Sequence, residues 1–215
     1  MAASTEELLE LHGRIRACTA CPLHATRTQA VPGYGPVTAR IMAVGEAPGE
    51  TEDREGKPFV GAAGQLLTRL LQEVGLDRRD IYITNTLKCR PPGNRDPEQP
   101  EVDACSHFLD EQIDMLRPDV ILVLGRHALA RLLRGAGTIT RLHGQRVRRG
   151  TRVYVPLYHP AAALYNASLL ETLQDDMRLV RRYLDEAEAE RATAARQPAA
   201  PVMDASPAAD QMALF

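Results

Sequence analysis

The chain has 215 residues, 44% hydrophobic and 25% charged, enough for one globular domain with a real apolar core and too apolar for a chain disordered throughout. No apolar run reaches the roughly 18 residues of a membrane span, and the acidic start MAASTEELLELHGR lacks the basic-then-apolar order of a signal peptide, so no membrane partner and a cytoplasmic location are expected. The net charge of −2 on its face argues against a polyanionic partner.

The predicted elements begin with a helix that Ser4 caps, with Glu6 and Glu7 at its positive end and Leu8, Leu11 and Ile15 at helical spacing. It runs into Cys18-Thr-Ala-Cys21-Pro22, where the proline stops it. Ile41-Met42-Ala43-Val44 reads as a buried strand, followed by a Gly/Pro-rich loop over 45–64 and a helix near 65–73. A second strand, 81–84, opens the loop Cys89-Arg-Pro-Pro-Gly-Asn-Arg-Asp-Pro97, and a helix over about 100–116 leads to a third strand, 120–124. After a helix near 126–133, residues 145–149 and 152–156 flank a turn at Gly150 and form a basic hairpin. A helix over roughly 169–191 closes a domain of residues 1–191. Residues 192–215 form an Ala/Pro-rich tail, with eight Ala and three Pro among residues 192–210. Strands alternating with helices in this way predict an α/β fold: three layers, α/β/α, around a central, mostly parallel four-stranded sheet.

The net charge hides an uneven distribution. Residues 1–125 hold 13 Arg/Lys against 19 Asp/Glu, residues 126–152 hold 8 against none, and residues 153–215 hold 5 against 9. The basic block favours phosphate contact. It is equally what a solvated face looks like in a chain with 24 Arg and 2 Lys.

Ligands of open α/β sheets bind at the carboxyl ends of the strands. Gly45-Glu46-Ala47-Pro48-Gly49, Asn85 and His159-Pro160 all fall at such ends, and a carboxylate, an amide and an imidazole there suit a small planar ring and a water to be activated. Alone, each is ordinary: a surface carboxylate, a turn former, a satisfied histidine. The four cysteines follow the spacing C-x2-C-x67-C-x15-C. A close pair plus two remote thiolates can enclose one zinc or one four-iron cluster, and the spacing does not choose between them; four separate core thiols are the plain alternative.

Gly45-Glu46-Ala47-Pro48-Gly49-Glu50-Thr51-Glu52-Asp53, Gly56-Lys57-Pro58-Phe59-Val60-Gly61, Asn85, Lys88-Cys89-Arg90-Pro91-Pro92-Gly93-Asn94-Arg95 and His159-Pro160, in this order, resemble the family 4 uracil-DNA glycosylases, the iron–sulfur members of their superfamily. The resemblance covers roughly residues 8–185. It implies a monomeric hydrolase of DNA repair that binds uracil-containing DNA, flips the nucleotide out and cleaves the bond between uracil and deoxyribose, leaving an abasic site. It implies that Cys18, Cys21, Cys89 and Cys105 hold a structural 4Fe-4S cluster, with no nucleotide cofactor. Glu46 and His159 are then catalytic: the first orients or deprotonates the attacking water, the second donates to uracil O2 as charge grows there. Gly45, Ala47, Glu52, Phe59 and Asn85 bind the base. Phe59 stacks on the ring, Asn85 reads N3 and O4, and Glu52 refuses the thymine methyl group. Leu164 is the expected wedge into the duplex, and Arg141, Arg146, Arg148 and Arg149 are the expected grip on its backbone. Ala161 stands where some relatives carry Ser and offers no hydroxyl to a phosphate there.

Two other readings compete. A covalent or non-catalytic uracil-DNA-binding member of the superfamily would keep the fold; the covalent type carries an Arg-Arg-Ile-His element that this chain lacks. A zinc protein would be colourless. Separately, Gln211-Met212-Ala213-Leu214-Phe215 is similar to the short peptides by which repair proteins dock on the sliding clamp, and the preceding tail suits such tethering.

Overall fold

The residues described by the structure, a computed structural model, are 4–196. The predicted linker beyond 196 and the peptide Gln211–Phe215 lie outside them.

Helix α1 (Thr5–Ala17) begins at a complete capping box, in which the Ser4 hydroxyl accepts from Glu7 N and the Glu7 carboxylate accepts from Ser4 N. Strands β1 (Ile41–Gly45), β2 (Ile81–Asn85) and β3 (Val120–Leu124) are buried at every position. That is why the sequence shows them as continuous apolar runs without alternation. The remaining strands are β4 (Val147–Arg149) and β5 (Arg152–Leu157). Helices α2 (Glu50–Glu55) and α3 (Ala62–Glu73) follow β1, and α4 (Gln99–Leu116) follows β2. After β3 come α5 (Gly125–Leu132) and α6 (Ile139–Leu142), and after β5 come α7 (Pro160–Ala163) and α8 (Ala167–Arg196).

The strands form one sheet in the order β2-β1-β3-β5-β4. β2, β1, β3 and β5 are parallel, and β4 pairs antiparallel with β5 through Val147↔Tyr154 and Arg149↔Arg152. The expected four-stranded sheet is therefore five-stranded. The basic hairpin does form, but its short first arm adds to the sheet edge, because β5 would otherwise leave its outer backbone groups unpaired. Helix α8 also begins two residues earlier than expected and runs to Arg196, into the alanine-rich segment read as linker; alanine is the best helix former.

Each face of the sheet has its own core. Ile41, Ala43, Ile83, Leu122 and Val155 pack against Leu66, Leu67, Leu70 and Leu71 of α3 and Leu173, Met177 and Val180 of α8. On the opposite face Met42, Val44, Ile121 and Val123 meet Leu109 and Ile113 of α4, Ala128 and Leu129 of α5, and Leu8 of α1. This is the expected α/β/α layering. A third cluster, with Leu11, Ile15, Leu87 and Phe108, surrounds Cys89 and Cys105. The chain crosses from β2 to β3 over β1, so the order reverses around β1, the position at which open α/β sheets place their ligand crevice.

Candidate active site

At the carboxyl ends of the strands lies a cavity of about 290 Å³ walled by Glu46, Glu52, Phe59, Asn85, His159 and Ala161, among others. The three strand-end segments that carry Glu46, Asn85 and His159 converge on it, as their positions predict.

Gly45 pairs with Asn85 across β1 and β2. A Cβ on Gly45 would lie 2.4 Å from Asn85 Oδ1 and 2.6 Å from Phe59 Cζ, so only glycine leaves the space in which the amide and the ring stand. Asn85 is buried, and its Oδ1 has no hydrogen-bond partner within the protein. Buried polar atoms are almost always paired, so an unpaired one on a cavity wall marks a place for a ligand donor. Phe59 sits at φ +52, a left-handed conformation costly for an aromatic residue. It is held there from both sides. Val60 N and Gly61 N donate to Glu52 Oε1 at 2.9 and 2.8 Å, and the Phe59 carbonyl packs where Gly64 has no side chain. Glu52 thus lines the cavity and also anchors the loop that presents Phe59.

His159 caps α7: its Nδ1 accepts from Ala161 N at 3.2 Å. A backbone N–H can only donate, so the ring proton resides on Nε2. Burial depresses the imidazole to about 4, with Glu52 opposing weakly. The ring is therefore neutral at physiological pH and offers Nε2–H as a donor. It lies 5.6 Å from the Phe59 ring, centroid to centroid.

Glu46 follows β1. Its carbonyl accepts from Leu87 N at 2.9 Å and from the Thr86 hydroxyl at 2.6 Å, which fixes its backbone. Burial raises its carboxyl above the usual carboxylate value; His127 opposes this and Asp96 adds to it. His127 Nε2 stands 3.7 Å from Glu46 and 3.4 Å from Asp96, and Arg126 pairs with Asp96 at 2.5 Å. The sequence reading missed His127 and Asp96. His127 lies three residues beyond the carboxyl end of β3, so the strand-end rule that found Glu46 and Asn85 would have found it too.

Cys18, Cys21, Cys89 and Cys105 come together, with Lys88 and Arg27 beside them, around a second small cavity under α1 and α4. All four thiols are free. Burial pushes Cys105 up to about 11 and raises Cys89, so as bare thiols these two would stay protonated. Arg27 Nη1 donates to Cys89 Sγ at 3.0 Å, and Ala20 N to Cys18 Sγ at 3.5 Å. Such donors suit sulfur that carries negative charge on a metal. Among the described residues, the group of three or more potential ligands whose donor atoms all lie within 4.8 Å of one another is Glu46, Asp96 and His127, not any three of the cysteines. A single tetrahedral zinc, with Zn–S near 2.3 Å, needs sulfurs about 3.8 Å apart.

The expected DNA contacts fare differently. Arg146 pairs with Glu186 and lies over the Tyr183 ring, Arg148 pairs with Glu190 at 3.1 Å, and Arg149 donates to the carbonyls of Leu132 and Arg134. The hairpin turn is at the amino end of β5, whereas His159 follows its carboxyl end, so Arg148 and Arg149 stand about 13 and about 17 Å along the strand from that carboxyl end. The structure does not bring these two to the site. Arg141 is exposed and forms no ion pair among the described residues. Leu164 is half-buried and packs on the core that α3 and α8 share, while the adjacent Tyr165 is 93% exposed.

Among the described residues no helix is long and apolar enough to cross a membrane. Residues 32–185 match the family model described as the uracil DNA glycosylase superfamily. The chain is 49% identical over 184 residues to a type-4 uracil-DNA glycosylase of Saccharolobus solfataricus, covering 79% of this chain and 83% of that protein. It is also 49% identical over 166 residues to a type-4 uracil-DNA glycosylase of Thermotoga maritima, covering 76% and 86%. To a type-5 uracil-DNA glycosylase of Pyrobaculum aerophilum it is 36% identical over 168 residues, covering 69% and 74%.

Proposed function

The chain belongs to the type-4 uracil-DNA glycosylases, and from that premise we propose how its own residues hydrolyse the glycosidic bond of deoxyuridine in DNA. The observation that carries the proposal is the buried, unpartnered Oδ1 of Asn85 in a cavity shared with Phe59 and His159.

Uracil N3–H satisfies Asn85 Oδ1, and the amide Nδ2 donates to O4. Cytosine places a lone pair at N3 and a donor at position 4, so both contacts turn repulsive and its base is rejected. Phe59 stacks on the ring. The Glu52 carboxylate, held by two backbone amides, is the wall against which a thymine methyl group would press. The base reaches this depth only outside the helical stack. On the turn after α7, Tyr165 rather than Leu164 offers free apolar surface to the duplex, since Leu164 is committed to the core. Of the four arginines expected to grip the backbone, Arg146 and Arg148 carry carboxylate partners from α8, whereas Arg141 and Arg149 are exposed and form no ion pair among the described residues.

As the bond between C1′ and uracil N1 breaks, negative charge gathers on the base and positive charge on the sugar. His159 donates from Nε2 to O2 and remains neutral, so it stabilises the uracil anion without surrendering a proton. Glu46 as carboxylate accepts a proton from the water that attacks C1′ and stabilises the sugar cation.

The four cysteines are the residues that would hold the 4Fe-4S cluster, and their spacing, wider than one zinc requires, supports this choice. A bound cluster supplies structural cross-linking: it joins the Cys18–Cys21 turn after α1, the 89–97 loop that borders the cavity, and α4. Monomeric action, a cytoplasmic location and clamp docking through Gln211–Phe215 are proposals that rest on the sequence.

The test is an oligonucleotide with one uracil, treated with protein and then with alkali. Strand breaks in excess of the protein added support turnover. A permanent protein–DNA adduct in place of breaks would support the covalent alternative, and uncleaved bound DNA the non-catalytic one. Within this frame Gly45→Ala is expected to lower stability by about 1–3 kcal/mol through overpacking and, in the folded protein, to weaken inhibition by free uracil roughly tenfold or more, because the added methyl displaces Asn85 and Phe59 together. Unchanged inhibition would remove both residues from the base site.

A further inference from the structure

Lys88 is buried beside Cys89. Its Nζ donates to Thr84 Oγ1, Asn85 O and Gln112 Oε1, each at 2.7 Å. All three must accept. The Thr84 hydroxyl donates to Pro32 O at 2.9 Å, and the Gln112 amide donates through Nε2 to Pro32 O and the Tyr82 hydroxyl. Three acceptors call for three N–H donors, which an ammonium has and a neutral amine does not. None of these partners is charged, and a buried charge without a counter-charge is costly. Lys88 lines the small cavity around which Cys18, Cys21, Cys89 and Cys105 gather, so thiolates bound to a metal there would supply the opposite charge.

We propose that Lys88 is a positioning residue that ties the four-cysteine centre to base recognition: its ammonium is the buried counter-charge of the metal-bound thiolates and at the same time holds the main chain of Asn85. This rests on the reading of the cysteines as cluster ligands and of Asn85 as the uracil reader. Hydrolysis of a glycosidic bond needs no electron transfer, so the charge of the centre acts here through geometry. The thiolates keep the ammonium in the core, the ammonium fixes the carbonyl of Asn85, and the Asn85 side chain meets the base. Lys88 itself touches neither the base nor the water.

The test compares cluster-loaded wild type with Lys88→Met in two measurements: the midpoint potential of the cluster by voltammetry and the inhibition constant of free uracil. Removing a positive charge near the centre favours its oxidised form, so the potential is expected to fall. The uracil constant is expected to rise about tenfold as the Asn85 carbonyl loses its donor. A folded variant in which either quantity stays at the wild-type value overturns the proposal. Should Lys88→Met fail to fold, Gln112→Glu decides. It keeps the lysine and its bond to Asn85 but sets a carboxylate against the ammonium, so the potential should fall while the uracil constant stays within about twofold. An unchanged potential there overturns the coupling. A wild-type protein that shows no broad absorbance near about 400 nm refutes the cluster reading, and this inference with it; a coloured wild type that releases no uracil refutes the base-site reading instead.

Discussion

Glu46→Gln is expected to slow uracil release about 10²–10⁴-fold, the range that a positioned general base contributes, while leaving the fold intact. The amide keeps the shape of the side chain and the two hydrogen bonds to the Glu46 carbonyl, which belong to the backbone. What it loses is the acceptor for the proton of the attacking water and the negative charge beside the sugar cation. The pH dependence separates this role from a steric one. Burial raises the Glu46 carboxyl above its ordinary value of 4.5, and the carboxylate is the active form. Activity should therefore fall as the pH drops through a value above 4.5. His159 does not set this limb, because it stays neutral down to about 4. The residual activity of Glu46→Gln should lack the limb and stay level across the same interval. Single-turnover rates over pH 4.5–8 make the comparison; a variant that keeps the wild-type limb would transfer the titration, and the role, to another group.

His159→Ala should cost about 10²–10³-fold in the single-turnover rate, as expected for loss of one preorganised donor at a developing anion. The tautomer of His159 sets this role. With Nδ1 accepting from Ala161 N, the only proton the ring can offer points from Nε2 into the cavity. A leaving group that needs less help should suffer less from its loss. Fluorine at C5 stabilises the base anion, so the deficit of His159→Ala on 5-fluorodeoxyuridine should shrink relative to deoxyuridine. An equal deficit on both substrates would mean that His159 supports the site structurally and does not stabilise the leaving group.

How far the site was legible follows from the range of the forces that make it. Glu46, Asn85 and His159 were found because each ends or follows a strand, and strands are visible as short apolar runs. The cysteines were found by residue type. His127 satisfies the same strand-end rule but escaped because it sits inside α5, a helix that looked like any other amphipathic segment. Lys88 was quoted in a motif without a role, since nothing local shows that a lysine beside Asn85 and Cys89 will be sealed from water by Gln112 and Tyr82, residues from two other elements.

The charge count shows the same boundary more sharply. Residues 126–152 carry eight arginines and no acid, and on sequence alone they form an unopposed basic block. The fold lays acidic α8 along the β4 edge, so Glu186 and Glu190 meet Arg146 and Arg148 some forty residues away, and Asp110 and Asp114 of α4 meet Arg131 and Arg152. By itself the sequence determined the layer architecture, the order of the parallel strands along the chain, the strand-end residues and the candidate set of four cysteines, because periodicity, strand ends and residue type are local properties. Only the tertiary structure decided which arginines are neutralised, which nitrogen of His159 carries the proton, where the edge strand β4 joins, and that a lysine is buried between the cysteines and the base site. Those outcomes depend on which surfaces face each other and which are closed to water, and neither is a property of any single segment.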